Sequence, residues 1–140
     1  MNYATGHSAL KQYRNVGTQS GVEHADPHRL VQMLMDGALE KISIAKGFMQ
    51  RGAIAEKGAH ISWAIAIIDG LRAALNKDQG GEIAQNLEDL YDYMGRRLLQ
   101  ANVENKRELL DEVAGLMPEI KGAWDAIPTE VMDGPQPRSR

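Results

Sequence analysis

The chain has 140 residues, no cysteine and a formal net charge of -3. That length suffices for one domain whose core needs no staples, and the lack of thiols excludes disulfides, thiolate catalysis and zinc–thiolate sites. The charge gives no broad electrostatic reason to bind nucleic acid or an anionic membrane.

No apolar run reaches membrane-spanning length, and the opening MNYATGHSALKQY lacks the basic-then-apolar order of a secretory signal. A cytosolic protein is expected. Hydrophobic residues make up 43% of the chain but aromatics only 5%, and there are seven methionines. That mixture favours helices over sheets, with methionine suited to irregular packing.

Residues 1–25 read as an N-terminal arm. Gly6, Gly17 and Gly21 interrupt any long helix, although Ser8 to Arg14 could form a short one capped by Ser8. Tyr3, Leu10, Tyr13, Val16 and Val22 give the arm apolar side chains that it cannot bury within itself. Docking onto the body is the expectation.

Asp26-Pro27 is a helix start, with aspartate to cap free amides and proline preset for the first helical position. Helix 1 is predicted over 27–50, ending before Gly52. Its stripe of Val31, Met35, Ala38, Ile42, Ala45 and Met49 steps by fours and threes, the seam of helices packed nearly parallel or antiparallel. Helix 2 is predicted over 53–76, with Ile54, Ile61, Ala64, Ile65, Ile68, Leu71 and Leu75 as its principal face. Trp63, Ile67, Gly70 and Ala74 form a second apolar arc, which is either a second packing surface or an exposed strip for a partner.

Asp78-Gln79-Gly80-Gly81 reads as a turn. Helix 3, over 82–103, carries Ile83, Leu87, Leu90, Met94, Leu98 and Ala101 on one stripe, with Tyr91 and Tyr93 on its two borders. Helix 4, over 106–127, has the stripe Leu109, Val113, Leu116, Ile120, Trp124 and Ile127, with Pro118 opposite and expected to bend it. Residues 128–140 are polar and proline-rich, and disorder is expected. Four helices joined by short breaks predict an all-α, antiparallel up-down four-helix bundle over 26–127.

A bundle can house a di-metal centre, but no Glu-x-x-His pair occurs, and the Asp26-Pro27 start separates His24 from His28. His60 raises the alternative of a histidine phosphotransfer or sensory bundle, although no lysine follows a turn later to steady a phosphoryl group. Gly80-Gly81 lacks the lysine of a phosphate loop, and Arg96-Arg97 lies on a helix rich in acids. No catalytic constellation, metal site or cofactor is predicted, so an enzyme is not expected.

Two blocks carry a family resemblance. Asn86-Leu87, Leu90-Tyr91, Tyr93-Met94 and Arg96 to Asn102 resemble the third helix of the flagellar secretion chaperones dedicated to flagellin. Leu30-Val31, Met33-Leu34 and Asp36-Gly37-Ala38-Leu39 are similar to that family's LV-ML-DGA signature. The likeness runs from about Tyr13 to Trp124. It implies a cytosolic export chaperone that binds the disordered C-terminal segment of flagellin, prevents premature polymerisation and works with the flagellar export apparatus, without nucleotide.

The client groove is expected on the apolar borders: Trp63, Ile67, Leu71, Asn86, Leu90, Tyr91, Tyr93, Met94 and Arg97. Tyr13 matches the tyrosine that precedes helix 1 in the family, so Tyr3, Leu10 and Tyr13 are expected to plug the groove until the client displaces them.

Overall fold

A computed structural model describes residues 27–125. The Asp26 cap, the arm with Tyr3, Leu10 and Tyr13, and the segment after Asp125 with Ile127 lie outside the described residues. Four helices follow in order: α1 (Pro27–Gln50), α2 (Ile54–Ala73), α3 (Lys77–Glu104) and α4 (Arg107–Asp125). The principal contacts are α1 with α2, α2 with α3, α3 with α4 and α4 with α1. Chain neighbours are thus spatial neighbours, and the fourth helix closes the ring on the first: an all-α up-down bundle.

The α1 stripe is buried as its spacing requires, from Val31 through Met49. Gly52 follows the helix at φ 73, a left-handed position that favours glycine. In α3 the register differs from expectation. Ala84, Leu87, Tyr91, Met94, Leu98 and Ala101 face the core, whereas Ile83 is 43% exposed and Leu90 38%. The buried set steps three, four, three, four, three, the same seam as α1, and Tyr91 moves from border to core.

The start of α3 differs too. Asn76 accepts a hydrogen bond from the Gln79 amide at 3.0 Å and caps a helical turn where the sequence suggested an open one. Gly81, at φ 55 and ψ -129, kinks the chain between that turn and the main helix.

In α4 the inward set is Leu109, Leu110, Val113, Met117, Ile120 and Trp124, so Met117 takes the place expected for Leu116, which is half-buried. Pro118 is exposed within a continuous helix. In α2 the second arc divides. Ile67 and Gly70 are buried, so there it is a packing surface, while Trp63 is 51% exposed. Ile54, expected on the core face, stands 57% exposed at the helix start.

Polar contacts close both ends of the bundle. At one end Lys57, 2% exposed, donates from Nζ to Asn102 O and Asn105 Oδ1, each at 3.0 Å. Asn102 O is one of the carbonyls that the end of α3 leaves without an intrahelical partner, so a buried charge serves as its cap. At the other end His28 and Trp124 stack at 5.0 Å between centroids. Trp124 Nε1 donates to His28 O at 3.1 Å, and His28 Nε2 lies 2.8 Å from Trp124 O. The beginning of α1 and the end of α4 are thereby clasped.

Candidate functional site

A cleft of about 460 Å³ lies between α2 and α3. Ser62, Ile65, Asp69 and Arg72 line it from α2 at three- and four-residue spacing, and Tyr91, Asp92, Gly95, Arg96 and Leu99 line it from α3. The cleft is open at Gly95, where an added Cβ would meet nothing within 4 Å. Leu99, 56% exposed, forms an apolar rim, and the buried Tyr91 ring forms part of the floor.

Burial pushes the Tyr91 hydroxyl well above the ordinary phenol range, so it stays neutral. Arg72 donates to Glu88 and Asp92 at 3.4 Å each, Lys77 meets Glu88 at 3.1 Å, and Arg96 meets Asp92 at 3.0 Å. Asp69 differs from these partnered charges. Its Oδ2 is buried and finds no hydrogen-bond partner among the described residues. Desolvation pushes its carboxyl pKa up, against an opposing pull from Arg72.

A second surface lies at the α3–α4 seam. Tyr93 OH donates to Glu112 of α4, and Arg97 Nε donates to the same carboxylate at 2.8 Å. These bonds to Tyr93 and then Arg97 lower the Glu112 pKa, and the bond to Glu112 raises that of Tyr93. Exposed Asn86 and Leu90 lie one to two turns earlier on α3. On the α1–α2 face, Lys41 Nζ sits 3.7 Å from the Trp63 ring centroid, and His60 lies between Phe48 and Trp63 at 5.2 and 6.1 Å. His60 Nδ1 is 2.9 Å from Glu56 O, which leaves that nitrogen engaged rather than free for phosphoryl transfer.

The expected groove residues are therefore not one surface. Trp63 is on the α1–α2 face, and Asn86, Leu90, Tyr93 and Arg97 are at or near the α3–α4 seam. Tyr91 floors the α2–α3 cleft. Ile67, Leu71 and Met94 are core residues with 1%, 3% and 0% exposure, so they support a surface and do not form one. Ile65, Asp69, Arg72, Gly95 and Leu99 were not anticipated. One signal was available: Asp69 is a lone acid in the otherwise apolar run Ala64-Ile65-Ala66-Ile67-Ile68-Asp69-Gly70-Leu71.

Open apolar edges on these faces suit a helical binding module, and the charges along the α2–α3 and α3–α4 seams are ion-paired with the exception of Asp69. Among the described residues no cluster of His, Cys, Asp or Glu could hold a metal ion, and no helix is long and apolar enough to cross a membrane.

The family model described as "Flagellar protein FliS" matches residues 9–131. Similar proteins include flagellar secretion chaperone FliSB of Pseudomonas aeruginosa, 51% identical over 119 residues, covering 85% of this chain and 94% of that protein. Flagellar secretion chaperone FliS of Salmonella typhimurium is 48% identical, covering 86% of this chain and 90% of its own. The Bacillus subtilis protein of the same name is 34% identical, covering 82% of this chain and 86% of its own. The chain belongs to the FliS family. Its relatives are named as flagellar secretion chaperones.

Proposed function

We propose that this chain is a cytosolic chaperone that holds the C-terminal segment of flagellin before export, keeps it from polymerising and delivers it to the flagellar export apparatus. The observation that carries the reading is the match of family and name across nearly the whole chain. The surface supports it in kind. An amphipathic client helix fits the helix-in-groove mode, with side chains at i, i+3, i+4 and i+7 entering an apolar-rimmed cleft. The cleft between α2 and α3 has such a rim in Ile65 and Leu99 and a ring floor in Tyr91.

Ordering a disordered segment consumes about 2–5 kcal/mol of the gross interaction energy. A wide interface can therefore release its client without nucleotide. In the same reading, Tyr3, Leu10 and Tyr13 of the N-terminal arm cover the apolar surface until the client arrives.

Calorimetric titration of the chaperone with full flagellin, and with flagellin lacking its C-terminal segment, tests the proposal. Binding of the first and not the second is expected. Equal binding of both would move the interface to another part of flagellin, and binding of neither would refute the function.

A further inference from the structure

Asp69 breaks the rule that governs every other charge in its neighbourhood. Arg72, Lys77, Arg96, Glu88 and Asp92 all have ionic partners across or along the α2–α3 seam. Asp69 Oδ2 is buried and without a hydrogen-bond partner among the described residues. Buried polar atoms are nearly always satisfied, and an exception calls for an explanation such as a binding partner. Asp69 also lines the cleft, one helical turn from Ile65 and one from Arg72. An acceptor without a partner among the described residues is thus set beside the apolar rim of the cleft.

We infer that Asp69 is a specificity-determining residue of the client site: it accepts a hydrogen bond from a neutral amide or hydroxyl side chain of the segment seated between α2 and α3. This rests on the proposed function, and it adds the chemistry that the cleft selects. Charge argues for a neutral donor. Of the residues that line the cleft, Asp69 and Asp92 are matched in number by Arg72 and Arg96, so an added cation would leave it with excess charge. A neutral donor satisfies Oδ2 and leaves that balance intact. The donor's neighbours on the client should be apolar, to meet Ile65, Tyr91 and Leu99.

Such an acceptor discriminates by exclusion. A site built to meet a hydrogen-bonding group rejects an analogue that lacks it, because the buried partner stays unpaired. The same physics gives the free protein an unusual signature. An acceptor unsatisfied before binding burdens the free fold, so an apolar residue of similar size should not lower its stability.

The test titrates a peptide of the flagellin C-terminal segment against wild-type protein, Asp69→Leu, Asp69→Asn and Gly95→Leu, with thermal melts of each free protein. Asp69→Leu should weaken binding about tenfold or more without lowering Tm. Asp69→Asn keeps a side-chain acceptor and should retain most of the affinity. Gly95→Leu fills open space in the cleft and should weaken binding while the protein stays folded.

On the client side, amide and hydroxyl residues replaced singly by alanine should reveal one position whose loss adds nothing to that of Asp69→Leu. Unchanged affinity in Asp69→Leu, or no coupled client position, overturns the inference while leaving the proposed function intact. Tighter binding by Asp69→Leu assigns the acceptor to the chain's own N-terminal segment and also overturns it. No binding by the wild-type protein refutes the proposed function itself, and the inference falls with it.

Discussion

Leu90 and Leu98 share one helix and one chemistry, but the bundle treats them differently. Leu98 is 0% exposed and Leu90 is 38% exposed. Truncating Leu98 to alanine removes a fully packed side chain and leaves a cavity, for which about 3–5 kcal/mol is expected. Leu90 has an open side, so truncation there leaves little void and loses part of its transfer energy. Fully burying a leucine contributes about 1.5–3 kcal/mol, and the partial burial of Leu90 implies roughly 1–2 kcal/mol. The two variants should therefore differ by about 2 kcal/mol. Urea titrations read by circular dichroism, with equal slopes to show that both unfold in the same way, measure that difference. A simple stripe through both leucines predicts equal costs. Equal costs would mean that α3 presents Leu90 rather than Tyr91 to the core, and would refute the register described above.

Lys57→Ala should destabilise the fold by about 1.5–3 kcal/mol, because Asn102 O and Asn105 Oδ1 lose a charged donor; an unchanged midpoint in the same titration would show that water replaces it. Asp69 makes a pH-dependent contribution of unusual sign. Its folded-state pKa is raised above the ordinary 3.8, so the native state binds its proton more readily than the unfolded chain does. As pH falls through that raised value towards 3.8, wild-type stability relative to Asp69→Asn should increase. A relative decrease, followed by melts of both proteins across acidic pH, would contradict the desolvation that causes the shift.

The helix pattern was legible in the sequence because apolar spacing and punctuation agreed. On α1 the stripe alternates fours and threes without a break, and each of its residues is buried. The stripes read on α3 and α4 each contained two fours in succession, a departure from the 3.5-residue seam of nearly parallel packing. Both proved displaced by one residue in part of the helix: Tyr91 and Ala84 replace Leu90 and Ile83, and Met117 replaces Leu116. Alternation alone would not have chosen between the registers: a seam begun at Ile83 or Leu109 keeps Leu90 and Leu116, and only one begun at Ala84 or Leu110 runs through Tyr91 and Met117.

The site was less legible for a different reason. Periodicity says which face of a helix is apolar, but not where two adjacent helices part to leave a cleft. That depends on the distance between the two helices, which leaves open space at Gly95. Tyr91 could be named from its amphipathic ring, but its role as floor and not rim required the packing. Asp69 was concealed because a lone acid in an apolar run resembles an ordinary solvated interruption until its second oxygen is found to be buried.

The N-terminal arm gives the proposed function a test with a definite sign. It joins the bundle at the start of α1, at the end clasped by His28 and Trp124. A chain covers at most about 3.3–3.6 Å per residue, so the 26 residues before Pro27 could reach roughly 85–95 Å, well beyond the length of any helix here. Reach therefore does not restrict which groove the arm could cover. Its effect follows from competition. If the arm occupies the client site in most molecules, apparent client affinity is reduced in proportion to the fraction left open. A docked fraction of about nine-tenths would weaken binding about tenfold. Deleting residues 1–16, which removes Tyr3, Leu10 and Tyr13 but leaves α1 intact, should then tighten binding of the flagellin C-terminal segment by a comparable factor. The same deletion should make the free chaperone more prone to self-association, because apolar surface loses its cover. An arm that instead closes over a bound client would contribute contacts to the complex, and deletion would weaken it. Calorimetry of both forms with one peptide, combined with light scattering of the free proteins, separates the two. Weaker binding by the truncated chain would refute the plug.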